Sequence, residues 1–350
     1  MLKSDVLYRA RAPLRLSFGG GGSELPPYVH QYGGVVLNAT IGRYVYASIR
    51  AANTSQVSFV ASDCNLSETL PVQAEYSLTD ANIALPLHRA VYNRIINTYN
   101  DGKPLPLTLH TYSDAPVGSG LGTSSTLTVA MLRCFDHALG LNLDVYELAA
   151  LAHDIERCDL NLAGGYQDHY AATFGGFNFM EFRSSGEVVI NPLALDASLL
   201  AELEYSLVLY YTSVSRASAD IIEAQSRSIA NEAAVCESVH QIKALAFTMK
   251  EQLLAGEIRQ FAKTLHNSWL LKRSTASAIS NHSIDEIYQQ ACANGAWGGK
   301  ISGAGGGGFM MLIVDPNRRQ EVINSLPNYD TQASFCHFSN AGAIAWQRNG

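Results

Sequence analysis

The 350-residue sequence carries little charge: Asp, Glu, Lys and Arg make up 16% of it, and 24 basic against 31 acidic side chains leave a formal net charge of −7. Lys and Arg gather in no run or stripe, so nucleic acid and an anionic membrane are excluded as expected partners. No apolar stretch approaches the roughly 20 residues that span a bilayer. Met1-Leu-Lys-Ser-Asp5 lacks the apolar core of a secretory signal, and a cytoplasmic protein is expected. Cysteine is sparse: Cys64, Cys134, Cys158, Cys236, Cys292 and Cys336 form no C-x-x-C pair and read as reduced thiols. The histidines form no H-E-x-x-H and no Cys/His cluster, which removes the usual zinc patterns. His169, alone beside an aromatic residue, reads as structural.

What the chain does have is 47% hydrophobic residues, enough for two cores, and 28 glycines, many of them in three clusters. The most informative is Pro116-Val-Gly-Ser-Gly-Leu-Gly-Thr-Ser-Ser-Thr126. Upstream, Leu105, Leu107 and Leu109 alternate with polar residues as in a half-buried strand. Downstream, Leu127, Ala130, Met131, Cys134, Phe135 and Ala138 fall at helical spacing, and Gly140 stands where a helix ends. The hydroxyl run therefore occupies the first turn of a helix, where unpaired N–H groups and a partial positive charge suit a phosphate. It is not a P-loop, because Thr123 follows Gly122 where that motif needs Lys. The glycine spacing and the helix starting at Asp144 do not fit a dinucleotide-binding unit either.

The cluster that comes first in the chain, Phe18-Gly-Gly-Gly-Gly-Ser-Glu24, is flanked by Arg15, Ser23 and Glu24 and reads as a ligand-contacting loop. Val35–Ile41 and Arg43–Ile49 read as consecutive strands divided at Gly42, with Asn38 needing a partner if buried. Residues 86–100 suit a helix. Asp144 and Glu147 signal the start of another, whose apolar stripe runs Leu148, Leu151, Ala152, Ile155 and brings Glu156 to its margin. That carboxylate is either a surface ion-pair partner or a metal ligand. Asp168, following Gly164 and Gly165, is on local grounds an N-cap or turn residue. Phe177–Phe182 and Val188–Ile190 read as a hairpin. The domain boundary is placed near Asn191–Leu203, giving domains 1–195 and 196–350. Beyond it a nearly continuous apolar strand, Glu204–Tyr211, is followed by helices near 216–230, 232–255, 257–273 and 283–294. The third cluster, Lys300-Ile-Ser-Gly-Ala-Gly-Gly-Gly-Gly-Phe309, runs into the strand Met310–Val314. A helix from about 316 and two short strands near 333–338 and 341–346 complete the chain.

Taken together, Arg11-Ala-Pro-Leu-Arg-Leu-Ser-Phe-Gly-Gly-Gly-Gly22, Pro116–Ser125 and Lys300–Phe309 resemble the three motifs of the GHMP kinases, named for galactokinase, homoserine, mevalonate and phosphomevalonate members. The resemblance covers essentially the whole chain. It implies an α+β fold of two domains, the first like ribosomal protein S5 domain 2 and the second ferredoxin-like, with the site between them. Within the family the likeness is to sugar 1-kinases that act on a heptose 7-phosphate for bacterial surface-polysaccharide synthesis, with fucose-type 1-kinases as the alternative. The galactokinase string G-E-H-x-D-Y is absent, and Ser23-Glu24 stands where the heptose kinases tend to carry Thr-Asp.

The resemblance further implies residue roles. Asp168 is the base for the sugar hydroxyl, and Arg15 steadies it and helps bind the transferring phosphoryl group. Pro116, Gly118, Ser119, Gly120, Leu121, Gly122, Thr123 and Ser124 bind ATP, with Ser124 and Glu156 as ligands of Mg²⁺. Gly21, Gly22, Ser23, Glu24, Asn38, Arg43, Gly164, Gly165, Gln167, Gly303 and Gly305 are the expected substrate contacts. Arg43, Arg89, Arg216 and Lys300 are candidates for holding a phosphate already on the sugar. The expected partners are thus a sugar phosphate and ATP, with homodimerisation left open. A non-catalytic sensor is the rival from another class; its expected mark, loss of the base or a metal ligand, is absent from this sequence.

Overall fold

In the computed structural model, which describes residues 2–80, 82–213 and 218–349, two β-sheets share one continuous hydrophobic core. The first sheet takes β1 (Val6–Gly19), β2 (Gly34–Ala51), β3 (Gln56–Ala61), β4 (Leu66–Pro71), β5 (Leu107–Ser113), β6 (Phe177–Phe182) and β7 (Val188–Pro192). The second takes β8 (Leu207–Tyr211), β9 (Ala296–Ile301), β10 (Phe309–Val314) and β11 (Ala333–Ser334). The last strand, β12 (Ile344–Asn349), returns to the first sheet and pairs antiparallel with β1. The first sheet therefore runs β12-β1-β2-β5-β3-β4, with β6 and β7 added on the N-terminal half of β2.

The second sheet runs β11-β8-β10-β9, antiparallel at each of these pairings. Counted in chain order that is 4-1-3-2. Helices separate its first and second strands and its third and fourth, which is the ferredoxin-like arrangement. The α+β expectation holds.

Helices follow the apolar spacing. They are α1 (Tyr28–Tyr32), α2 (Pro86–Tyr99), α3 (Thr123–Leu139), α4 (Val145–Asp154), α5 (Gln167–Phe174), α6 (Ala197–Ser206), α7 (Ser218–Asn231), α8 (Ala233–Leu254), α9 (Ile258–Arg273) and α10 (His282–Ala293). Asp144 caps α4 in a full capping box with Glu147. Phe18 at the end of β1 packs against Phe177 of β6 and, edge-on at 5.5 Å, against Phe261 of α9. This contact joins the two sheets' layers and fixes the first glycine cluster between them.

Several sequence expectations change. Gly42 does not divide two strands: β2 is continuous through it, because β1 runs alongside on both halves and absorbs the irregularity as a register shift between Pro13 and Arg15. The strand expected from Glu204 begins only at Leu207. Leu199, Leu200 and Leu203 pack at helical spacing, so Glu204–Ser206 end α6 and Tyr205 is exposed. Strand β9, Ala-Trp-Gly-Gly-Lys-Ile, was not foreseen because two glycines hide any alternation. Of the two late strands, the first shrinks to β11 plus one bridge from Phe338 to Ile41, and the second is β12, at 344–349. Among the described residues no helix is long and apolar enough to cross a membrane.

Candidate active site

The glycine-rich turn that starts at Pro116 does what its composition requires. Gly118, Gly120 and Gly122 all adopt positive φ, 75°, 76° and 78°, and deliver the chain into α3 at Thr123. At Gly120 a Cβ would stand 2.4 Å from the Ser302 carbonyl oxygen, so the second-sheet glycine cluster lies directly against the loop. The Phe309 N–H donates to Ser119 O at 2.9 Å and ties the two together. No side chain caps the start of α3. Its first N–H groups point a partial positive charge at whatever lies before them.

Arg15 and Asp168 meet beside that loop. Arg15, on β1 and 3% exposed, donates from Nε to Asp168 Oδ1 at 2.8 Å and from Nη2 to Oδ2 at 2.9 Å. Its Nη1 donates to Gly120 O at 2.5 Å, so one guanidinium holds both the carboxylate and the loop. Asp168 sits in the first turn of α5 with its side chain 25% exposed, and Gln167 Nε2 donates to Oδ1 at 3.2 Å.

Glu156 lies deeper. After α4 the backbone widens into a π-helical turn, Ile155–Asp159, and the carboxylate is buried rather than left at the margin of a stripe. Its Oε1 accepts from Ser124 Oγ at 3.2 Å and Thr128 Oγ1 at 2.9 Å, and its Oε2 from Ser125 Oγ at 2.9 Å. Arg157 Nη2 and His169 Nε2 each lie 3.2 Å from Oε2. Burial pushes the Glu156 carboxyl up, but His169, then Arg157 and Ser125, outweigh it and hold the pKa down at about 2. The group is an anion. A serine hydroxyl facing a cavity beside an ionised carboxylate is an all-oxygen pair that suits a hard cation retaining waters, as Mg²⁺ does.

These groups line one cavity of about 630 Å³. Of the expected site residues, Arg15, Gly21, Gly22, Glu24, Gly118, Ser119, Gly120, Gly122, Thr123, Ser124, Glu156, Gly164, Gly165, Gln167, Asp168 and Gly303 line it. Six stand behind or away from it. Ser23 is a buried brace, its hydroxyl donating to Gly20 O and Val35 O and accepting from Val35 N. Asn38 is fully buried between β1 and β6, in register with Ser17 and Asn178. Arg43 donates to Ser334 Oγ and stacks on Phe309, linking the two sheets. Leu121 belongs to the core, Pro116 accepts from Ser119 N, and Gly305 lies against Ile279. Of the basic candidates, Arg89 is paired with Glu68, Lys300 is buried, and Arg216 lies outside the described residues.

Sequence reasoning missed Ser125 and Thr128 as Glu156 partners, and it missed Lys272. This lysine, 5% exposed, lines the cavity and donates from Nζ to Gly303 O at 2.7 Å. Burial lowers its pKa to about 8 despite the opposing pull of Glu24. A signal existed: Ile258, Phe261, Ala262, Leu265 and Trp269 form the buried stripe of α9, and Lys272 continues it at i+3. The other end of the cavity is apolar, with Val45, Ala61, Leu85 and Leu87. His88 there has its Nε2 2.9 Å from Thr111 Oγ1, and burial lowers its pKa to about 4.

Residues 86–176 match the family described as GHMP kinases N terminal domain, and residues 249–331 the one described as GHMP kinases C terminal. The chain is also 40% identical over 339 residues to the D-glycero-alpha-D-manno-heptose 7-phosphate kinase of Campylobacter jejuni, covering 97% of this chain and 98% of that protein. The chain belongs to the GHMP kinase family. A solved structure described as a D-glycero-D-manno-heptose 1-phosphate kinase from Bacteroides thetaiotaomicron matches this GHMP kinase with a TM-score of 0.82 and 38% identity, over 97% of this chain and 98% of the other. The mevalonate kinase of Methanococcus jannaschii shares the fold, with a TM-score of 0.74 at 17% identity over 95% and 98% of the two chains.

Proposed function

We propose that this GHMP kinase transfers the terminal phosphoryl group of ATP to the anomeric hydroxyl of D-glycero-D-manno-heptose 7-phosphate, giving the 1,7-bisphosphate, a precursor for surface polysaccharide. The observation that carries the reading is the bidentate Arg15–Asp168 pair held against the glycine loop through Gly120 O. Phosphoryl transfer asks a protein mainly to align two oxygens and to neutralise charge. Asp168 takes the proton of the sugar hydroxyl as that oxygen bonds to the terminal phosphorus and ADP leaves. An anomeric hydroxyl is more acidic than an ordinary alcohol, so a positioned carboxylate suffices. Arg15 fixes the direction of that carboxylate and presents positive charge beside the loop.

Gly118 to Ser124 hold the nucleotide's phosphates through backbone N–H groups at the start of α3. Ser124 and Glu156 would hold Mg²⁺, which when bound supplies charge neutralisation on the phosphates. The carboxylate is ready for that role because Ser125, Thr128, Arg157 and His169 keep it ionised and oriented. The apolar end of the cavity, from Val45 to Leu87, suits the adenine base.

The relatives' names differ in where the phosphate lies, one naming a 7-phosphate kinase and the other a 1-phosphate kinase. Transfer to the anomeric oxygen of the 7-phosphate joins both positions in one product. Asp168→Asn tests the mechanism: turnover should fall by at least roughly a hundredfold, the low end for a general base, while nucleotide affinity stays at the wild-type value. Retained turnover would remove Asp168 from the chemistry.

A further inference from the structure

The kinase machinery leaves two buried lysines without a role. Lys272 and Lys300, 5% and 2% exposed, both reach Gly21 in the first glycine cluster. A Cβ built on Gly21 would meet Ser17 Oγ at 3.4 Å, Lys272 Nζ at 3.7 Å and Lys300 Nζ at 3.9 Å, with nothing closer. The α-carbon of Gly21 thus faces three hydrogen-bond donors, and Gly21, Ser17 and Lys272 line the hollow of the cavity beside it. Gln225 closes one side, donating from Nε2 to Thr275 Oγ1 and approaching Gly22.

The charges around the hollow do not balance. Arg15 and Asp168 satisfy each other. Against the two lysines stands Glu24, whose Oε2 already accepts from the Gly22 N–H at 2.7 Å. Burial lowers the pKa of Lys272 to about 8, and burial first, then the charge of Lys272, lowers that of Lys300 well below the ordinary lysine value. Two buried amines share one carboxylate, so an anion seated between them would be needed to hold both in their charged form.

We propose that the hollow over Gly21 seats the phosphate group already carried by the acceptor sugar, with Lys272, Lys300 and Ser17 as its partners. This deepens the sugar-phosphate reading above and rests on it. A phosphate monoester brings close to two negative charges and three acceptor oxygens, which matches the rim in charge and in donor count. Lys272 and Asp168 feel each other's charge, and both line the same cavity, so a sugar whose anomeric hydroxyl lies on Asp168 shares that cavity with the lysine. Glycine at position 21 leaves the room that any side chain would fill.

The same donors would also suit a phosphate of ATP, and the experiment separates the two sources. Initial rates of ADP release are measured for wild type, Gly21→Ala and Lys272→Met with heptose 7-phosphate and with unphosphorylated heptose, and the KM for ATP is taken alongside. The added methyl of Gly21→Ala makes only ordinary contacts, so that variant folds even if Lys272→Met does not. Losing one charge-assisted bond predicts that the preference for the phosphorylated sugar, as a ratio of kcat/KM values, falls by about 30-fold in each variant. The KM for ATP should move by less than about threefold, well inside one such bond. An unchanged ratio in folded variants overturns the seat and leaves the heptose 7-phosphate reading standing. A raised KM for ATP with the ratio intact assigns the lysines to the nucleotide instead and also overturns it. A wild type with no preference for the phosphorylated sugar overturns the acceptor reading and the seat together.

Discussion

Replacing Lys272 by Met removes a buried ammonium while keeping a side chain of similar length. Burial lowers the lysine pKa from 10.5 to about 8, which at 1.36 kcal/mol for each tenfold change means the charged form opposes folding by about 3 kcal/mol. Loss of the bond from Nζ to Gly303 O, 2.7 Å long, returns about 1 kcal/mol. Lys272→Met should therefore be more stable than wild type by about 2 kcal/mol near neutral pH, while losing the function argued for the lysine. The effect has a pH signature. Below pH 8 folded and unfolded lysine are both protonated and the burial penalty is fully present. Between pH 8 and 10.5 the unfolded state holds a proton that the folded state has released, so wild-type stability rises with pH relative to the variant. Urea unfolding of both proteins at pH values spanning that window measures the difference directly. A variant less stable than wild type at neutral pH, or a stability gap that does not narrow between pH 8 and 10.5, would refute the burial argument.

Glu156→Gln keeps the shape of the acceptor but removes the charge facing Arg157 and His169. It should cost about 3 kcal/mol in urea unfolding and raise the Mg²⁺ concentration needed for half-maximal rate; a wild-type Mg²⁺ requirement would dismiss the proposed metal contact. Gly120→Ala forces a Cβ to 2.4 Å from Ser302 O at a backbone φ of +76°. The KM for ATP should rise at least about tenfold through displacement of the loop, and an unchanged value would mean the nucleotide lies elsewhere. His88 has a folded pKa of about 4 against 6.5 when exposed. As pH falls from 6.5 to 4 the unfolded state gains a proton that the folded state refuses, so stability drops, by up to about 3 kcal/mol from this residue. His88→Leu should flatten that part of the stability profile, and an identical slope would show the loss arises elsewhere.

The glycine-rich turn before α3 was legible because its signals are local. A strand that alternates, three spaced glycines and a hydroxyl run at a helix start describe the backbone from Leu107 to Leu139 almost without tertiary information. Helices α2, α4 and α8 to α10 were legible for the same reason, since an amphipathic stripe is written at a fixed spacing. What was not legible depended on neighbours far away in the chain. Continuous β2 needs β1 alongside to carry it past Gly42, and the helical end at Ser206 depends on Leu199 and Leu203 finding the core. Ser23 and Asn38 look like polar site residues from the sequence, yet packing turns one into a brace and buries the other between strands. Lys272 is the converse case: an unremarkable helical lysine becomes a cavity wall only when α9 packs beneath the first glycine cluster.

The most direct measurement is the ³¹P NMR spectrum of the product formed from ATP, Mg²⁺ and D-glycero-D-manno-heptose 7-phosphate by the purified protein. The account predicts a new anomeric phosphate resonance, coupled to the C1 proton, with the 7-phosphate resonance retained and ADP released in equal amount. A product phosphorylated anywhere but C1, or ADP formation that is indifferent to the sugar, would contradict it.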